Sequence, residues 1–155
     1  MIIREIEKKD NHAVGELVQK VLMEMGAPKI GTAYSDPYLF NLFGIYSEPK
    51  TIYFVIENEG KIIGGAGIGT LENDICELQK MYFLPECRGL GLGTKLMEMC
   101  LEKAKEFGYT KCYLETMHYM KSAQKLYRKV GFENIDAPIG NTGHTSCPVW
   151  MIRNL

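Results

Sequence analysis

The run Arg88-Gly89-Leu90-Gly91-Leu92-Gly93-Thr94 sets three glycines at alternate positions between a stretch with strand character and one with helix character. Glycine lets main chain approach a ligand closely, and at a helix start free N–H groups and the positive end of the helix dipole converge on one point. The chemistry expected there is anion binding, with a pyrophosphate the best fit. Spacing separates the glycine-rich designs. A P-loop needs Gly, four residues, then Gly-Lys-Ser/Thr, whereas this turn ends Gly93-Thr94-Lys95, with lysine and hydroxyl in reverse order. A dinucleotide turn needs G-x-G-x-x-G inside an early βαβ unit, whereas the glycines here follow an antiparallel meander. The run does match Gln/Arg-x-x-Gly-x-Gly/Ala through Arg88, Gly91 and Gly93, shortly after Met81-Tyr82-Phe83-x-Pro85.

Composition narrows what such a site can serve. With 155 residues, 46% hydrophobic and 24% charged, the chain is long enough for one domain over 1–155 with its own core. Eighteen Lys plus Arg against 19 Asp plus Glu leave a charge of -1, which offers no general attraction to nucleic acid or an anionic membrane, so phosphate recognition must be local. The first ten residues turn charged too soon for a secretory signal and no apolar run reaches spanning length, so a cytoplasmic protein is expected. Five cysteines without a C-x-x-C pair read as reduced thiols. His144-x-x-Cys147 has no second ligand pair, so no metal is expected.

The elements that must position the turn follow from periodicity. Ile2 to Glu7 alternates as a strand, and Asp10-Asn11 can cap a helix with Val14, Leu17, Val18, Val21 and Leu22 on one stripe. An irregular stretch from Gly26 to Pro37 leads to a predicted short helix from Tyr38 to Tyr46. Thr51 to Glu57 and Ile62 to Leu71 read as strands joined by the hairpin chemistry of Asn58-Glu59-Gly60-Lys61, and Ile75 to Phe83 completes a meander. After the glycine turn, Leu92, Leu96, Cys100 and Ala104 recur every fourth residue, with Gly108 suited to the C-terminal cap. Lys111 to Thr116 is a strand, Lys121 to Val130 a helix, and Phe132 to Ile135 and Val149 to Ile152 are closing strands around an irregular 136–148 connection. The expected fold is α+β, a mixed, mostly antiparallel sheet flanked by helices.

At these residues the chain resembles the GNAT superfamily of N-acetyltransferases. The element order agrees over almost the whole chain, and the specific part is Glu77 to Phe132, which adds Ala123-x-x-Leu126-Tyr127-x-x-x-Gly131-Phe132 to the glycine turn. The resemblance implies acetyl-coenzyme A as donor, with its pyrophosphate on the backbone of Arg88, Gly89, Leu90, Gly91, Leu92, Gly93 and Thr94. Its pantetheine arm would pair like an extra strand with Met81, Tyr82 and Phe83, whose N–H groups would serve the acetyl carbonyl. An extended polyamide can add to a strand edge, which makes that pairing physically reasonable.

Acetylating an amine needs a neutral nucleophile, a stabilised oxyanion and a proton for the leaving thiolate. Glu77 is the expected base: it lies four residues before Met81, two pleat repeats away on one face, and it matches the strand glutamate of the histone-acetylating branch. Glu115, on the neighbouring strand, is the substitute. A solvated or salt-bridged strand carboxylate is the plainer reading of Glu77. Tyr127 resembles the family's general acid, although its apolar stripe would also suit a core tyrosine. Two departures stand out. Met120 occupies a place where many relatives carry a cofactor-contacting Asn, with Lys121 or Ser122 as replacements, and Cys87 adjoins a helix start that can favour a thiolate, although a loop cysteine without a role is the plainer reading.

For the acceptor, Tyr34, Asp36 and His144 are the candidate binding residues, Asp36 as partner of an ammonium and the aromatic rings through cation–π attraction. A helix cap and packing account equally for Asp36 and the tyrosines. The expected partner is a small-molecule amine or amino acid, not nucleic acid or membrane, and a homodimer stays open as an assembly. Two other functions fit the same motifs: a non-catalytic acyl-coenzyme A binding or sensing module, and an acyltransferase using a longer acyl donor.

Overall fold

A computed structural model describes residues 1–155. Strands β1 (Ile2–Glu5), β2 (Ile52–Asn58), β3 (Lys61–Glu72), β4 (Ile75–Phe83), β5 (Lys111–Thr116), β6 (Glu133–Ile135) and β7 (Val149–Asn154) form one sheet in the order β1-β2-β3-β4-β5-β7-β6. Every neighbouring pair is antiparallel except β4 and β5. A parallel neighbour needs a crossover, supplied by helix α3 (Leu92–Glu106). Helices α1 (Asn11–Glu24), α2 (Leu42–Ile45) and α4 (Lys121–Lys129) complete the α+β arrangement.

Local chemistry explains most of these elements. Glu59 (φ 52°) and Gly60 (φ 79°) both take the left-handed conformation, which matches the twist of the flanking β2 and β3. Helix α3 buries Leu96, Met97, Cys100, Leu101 and Ala104, a stripe at helical spacing, against β2, β3 and β4. Val14, Leu17, Val18, Val21 and Leu22 do the same for α1. No helix is long and apolar enough to cross a membrane.

Two expectations for the N-terminal third need correction. Asp10 does not cap α1: its carboxylate accepts from the Glu7 N–H at 2.8 Å and from both terminal nitrogens of Arg4, fixing a 3-10 turn that runs straight into the helix. The helix predicted from Tyr38 to Tyr46 is a single turn, Leu42–Ile45, because Asn41 has non-helical angles and the Phe43 N–H donates to Asn11 Oδ1 of α1 at 2.8 Å.

The feature that shapes the molecule is where the parallel pair stops. Register holds only for Ile75 with Lys111, Cys76 with Cys112 and Glu77 with Tyr113, so beyond those residues β4 and β5 part. On its other side β4 is bulged, since Gln79 faces Gly67 and Tyr82 faces Gly65, three residues against two. Lys80 takes the strain at φ 49°, and its carbonyl accepts from the Tyr53 hydroxyl at 2.7 Å. The bulge shifts the pleat, so Glu77 and Met81 are not two regular repeats apart on one face, contrary to the simple alternation.

Candidate active site

The parting of β4 and β5 opens a cleft of about 580 Å³. One wall carries Lys80, Met81, Tyr82 and Phe83 of β4, the other Leu114, Glu115 and Thr116 of β5. Arg88, Gly89 and Gly91 to Thr94 of the glycine turn form one end, and Met120 to Ala123 with Leu126 and Tyr127 bring α4 alongside.

At the turn, Gly89 (φ 77°) and Gly91 (φ 74°) occupy the left-handed region, and Gly91 is the N-cap of α3. No backbone carbonyl accepts from the N–H groups of Gly89, Leu90, Gly91, Leu92, Gly93 or Thr94; the first bond of α3 runs from Lys95 N–H to Gly91 O at 3.2 Å. A helix start by itself leaves only its own first turn unpaired, so the glycine turn lengthens the row of free donors. Unpaired donors on a wide cleft, at the positive end of a helix, fit a diphosphate. Arg88 serves the turn differently from its neighbours. Its guanidinium donates to Phe83 O through Nε (3.1 Å) and Nη2 (2.8 Å) and pairs with Glu24 of α1, which braces the end of β4 and leaves the backbone for the anion. Cys87 is buried, and burial pushes its thiol up, opposite to the thiolate that a helix start favours.

Tyr127 is 8% exposed and its ring meets Phe132 edge-on, with centroids 6.1 Å apart. No buried side-chain oxygen lacks a hydrogen-bond partner, and the Tyr127 hydroxyl has none in the protein, so that hydroxyl is open to the cleft. Burial pushes its pKa to about 12, which keeps it a proton carrier at neutral pH. Ahead of it α4 begins at Met120 without a side-chain cap. Gln124 compensates by donating to Met117 O (2.8 Å) and His118 O (3.2 Å). Met120 itself receives the Thr116 hydroxyl on its sulfur at 3.5 Å, and Lys121 and Ser122 join it on the cleft wall.

Glu77 is 6% exposed, behind the cleft wall rather than on it. Gln79 Nε2 donates to its Oε1 at 2.7 Å while Gln79 Oε1 accepts from the Tyr46 hydroxyl at 2.6 Å. Burial raises the Glu77 pKa, against the Gln79 hydrogen bond, and nearby Glu115 raises it further. Glu115 lines the cleft and accepts from the Tyr113 hydroxyl at 2.6 Å and from the Thr142 hydroxyl.

The three acceptor candidates do not act alike. Asp36 and His144 come together, with His144 Nε2 2.9 Å from Asp36 Oδ1, and Lys80 Nζ lies 2.8 Å from Asp36 Oδ2. Asp36 is therefore not a free carboxylate awaiting an ammonium, because the Lys80 ammonium and the His144 ring already engage both its oxygens. Tyr34 lies apart from the cleft, with Lys29 over its ring at 5.2 Å and its carbonyl accepting from Gln19. No group of three His, Cys, Asp or Glu side chains is placed to hold a metal ion. Sequence reasoning missed Lys80, whose left-handed backbone no residue type announces, and Gln79, whose only signal was its position two residues after Glu77.

A mixed sheet parted between parallel neighbours, with free helix-start amides at one end of the gap and a phenol beside it, is built to hold an extended, anionic ligand next to a proton donor. The sequence model of the Acetyltransferase (GNAT) family matches residues 18–132, and the chain belongs to that family. It is 46% identical over 159 residues to the uncharacterized N-acetyltransferase YjgM of Escherichia coli K12, covering 99% of this chain and 95% of that one. The crystal structure of a GNAT-family acetyltransferase from Staphylococcus aureus Mu50 superposes with a TM-score of 0.88 at 25% identity, over 99% of this chain and 98% of that one. The PaiA N-acetyltransferase of Thermoplasma acidophilum, solved in complex with coenzyme A, superposes with a TM-score of 0.78 at 17% identity over the same shares of the two chains, a likeness of fold alone.

Proposed function

We propose that this protein transfers an acetyl group from acetyl-coenzyme A to a primary amine of a small acceptor, directly, with both substrates bound in the cleft. The observation that carries this reading is the row of unpaired N–H groups from Gly89 to Thr94, opening on a gap whose wall holds the Tyr127 hydroxyl. The coenzyme A complex of the Thermoplasma relative supports the choice of donor. Bound there, the donor supplies an activated acyl carbon whose thiol is the leaving group.

The chain's own residues then have separable tasks. Backbone amides at the turn hold the diphosphate, and the side of Met81 to Phe83 that β5 leaves without a strand neighbour aligns the extended arm and offers N–H to the acetyl oxygen. An alkylamine with a pKa of about 10.4 is neutral in only about one molecule in a thousand near pH 7, so a base gains much for the reaction. Glu77 takes that role, its raised pKa making it a stronger base than an exposed carboxylate. As the new C–N bond forms and the C–S bond breaks, the amine proton passes to the carboxylate side and Tyr127 gives its proton to sulfur. A second reading of the base is favoured by one observation: Glu115 stands on the cleft wall and Glu77 behind it.

Thiol release from acetyl-coenzyme A across amino acids, polyamines, aminoglycosides and short peptides tests the proposal. Turnover on one class supports it, whereas saturable donor binding without turnover on any would make the protein a sensor of the thioester. Glu77→Gln and Glu115→Gln in the same assay separate the two bases, since only the true base loses the rise of activity with pH.

A further inference from the structure

Asp36 ties together three parts of the chain that meet beside the cleft. Lys80 Nζ lies 2.8 Å from Oδ2, and His144 Nε2 lies 2.9 Å from Oδ1 and 3.1 Å from Oδ2. The three side chains are 22%, 12% and 19% exposed in that order, so solvent screens their attraction far less than it does a surface pair. Lys80 is the bulge residue of β4 and lines the cleft. His144 belongs to the 136–148 connection, whose Thr142 hydroxyl donates to Glu115 on the opposite wall.

The same two loops meet again a short distance away. Ser146 N–H donates to Gly31 O at 2.9 Å, and the Ser146 hydroxyl donates to Ile30 O at 3.0 Å. Gly31 has φ 76°, and a Cβ there would stand 2.6 Å from Thr145 Oγ1, so the approach requires glycine. The segments 28–36 and 139–147 are thus joined at two places, and one of those places is anchored to the β4 bulge.

We propose that Asp36, with Lys80 and His144, is a positioning cluster: it holds segments 28–36 and 139–147 against the bulge and so fixes the geometry of acceptor entry, without touching the amine. This rests on the acetyl-transfer reading of the cleft. Both carboxylate oxygens are engaged from within the protein, which is why Asp36 acts through the loops. The groups facing His144 are Asp36 from the 28–36 segment and Lys80 and Glu77 from β4; those around Asp36 are His144 and Lys80, with the Tyr46 and Tyr82 phenols and the Cys147 thiol also within reach of its charge. Burial alone would lower the His144 pKa, but the hydrogen bond and charge of Asp36 outweigh it and the net shift is upward. Burial alone would raise the Asp36 pKa, but His144 and Lys80 bring it below the usual value. The cluster is accordingly fully charged between the depressed pKa of Asp36 and the raised pKa of His144, and as pH rises through the latter the His144 link loses its charge and is left as a neutral hydrogen bond.

The test uses Asp36→Asn, Asp36→Glu and His144→Gln in the full chain. In the ligand-free protein, the His144 ring followed by NMR titrates higher in wild type than in Asp36→Asn, and the Ser146 and Cys147 amides exchange faster in both Asp36→Asn and His144→Gln. With acetyl-coenzyme A and the best amine of the panel, Asp36→Asn raises the acceptor KM about tenfold, equivalent to about 1.4 kcal/mol, while the donor KM holds and Asp36→Glu recovers part of the loss. A His144 titration indifferent to Asp36→Asn, or a fall in kcat with the acceptor KM unchanged, overturns the proposal. Should Asp36→Asn not fold, His144→Gln carries the exchange and KM measurements. Absence of turnover on every amine overturns the proposed function and with it the acceptor role, while the titration still reports whether the cluster forms.

Discussion

Tyr127→Phe deletes one oxygen and keeps the ring that packs edge-on against Phe132. Since that oxygen has no partner in the protein, folding loses little, and the phenol's expected role concentrates the loss in turnover. General-acid catalysis is worth about 10²-fold or more, so kcat should fall by at least that much with the donor dissociation constant nearly unchanged, as steady-state kinetics and calorimetry would show. Glu77→Gln separates activity from stability in the other direction. A buried carboxylate with a raised pKa costs folding energy once ionised, and that penalty grows as pH rises above the unfolded value. The glutamine variant should therefore lose activity while its melting temperature at pH 8 equals or exceeds that of wild type. A lower melting temperature would mean that the ionised Glu77 is held by its surroundings more firmly than the Gln79 amide alone suggests.

The turn between β4 and α3 is a device of main chain, so its tests are backbone tests. A Cβ at Gly91 would meet nothing within 4 Å, which removes steric crowding as an explanation for any effect there. What remains is φ 74°, costing a non-glycine residue about 1–2 kcal/mol, and whatever charge the new side chain brings to the free amides. Gly91→Ala should lower stability by that amount and weaken the donor modestly, whereas Gly91→Asp should abolish the thermal shift produced by acetyl-coenzyme A. At 100 times its dissociation constant a donor that binds only the folded state stabilises it by about 2.7 kcal/mol, an effect well within reach of a melting curve. This turn was legible in the sequence because its glycines, their spacing and the following four-residue stripe state a local conformation. The β2–β3 hairpin was legible for the same reason. The bulge at Lys80 was not, since lysine rarely takes a left-handed backbone and only the pairing with β3 demands it. Nor was the cluster around Asp36, whose partner His144 lies 108 residues along the chain and is brought near by tertiary packing alone. The single-turn α2 shows the converse failure, an apolar run that looks helical yet is divided among contacts to α1 and the core.

On the scale of the whole molecule, the sheet is continuous from β1 to β6 but parted in the middle, so the cleft is bordered by strand edges and not by loops alone. A ligand laid along Met81 to Phe83 would give the exposed edge of β4 the neighbour it lacks, and amide exchange in that strand should slow when acetyl-coenzyme A is added. All five thiols are buried, Cys76, Cys100 and Cys112 with no exposure at all, and Cys87 and Cys147 tucked into the cleft wall at 2% and 8% exposure. An aromatic disulfide reagent added to the native enzyme would thus find almost nothing of the protein to colour, and five equivalents after denaturation. The optical signal of released coenzyme can be read against a quiet background, and the same dye, left to stand, becomes a clock for how often the folded core opens.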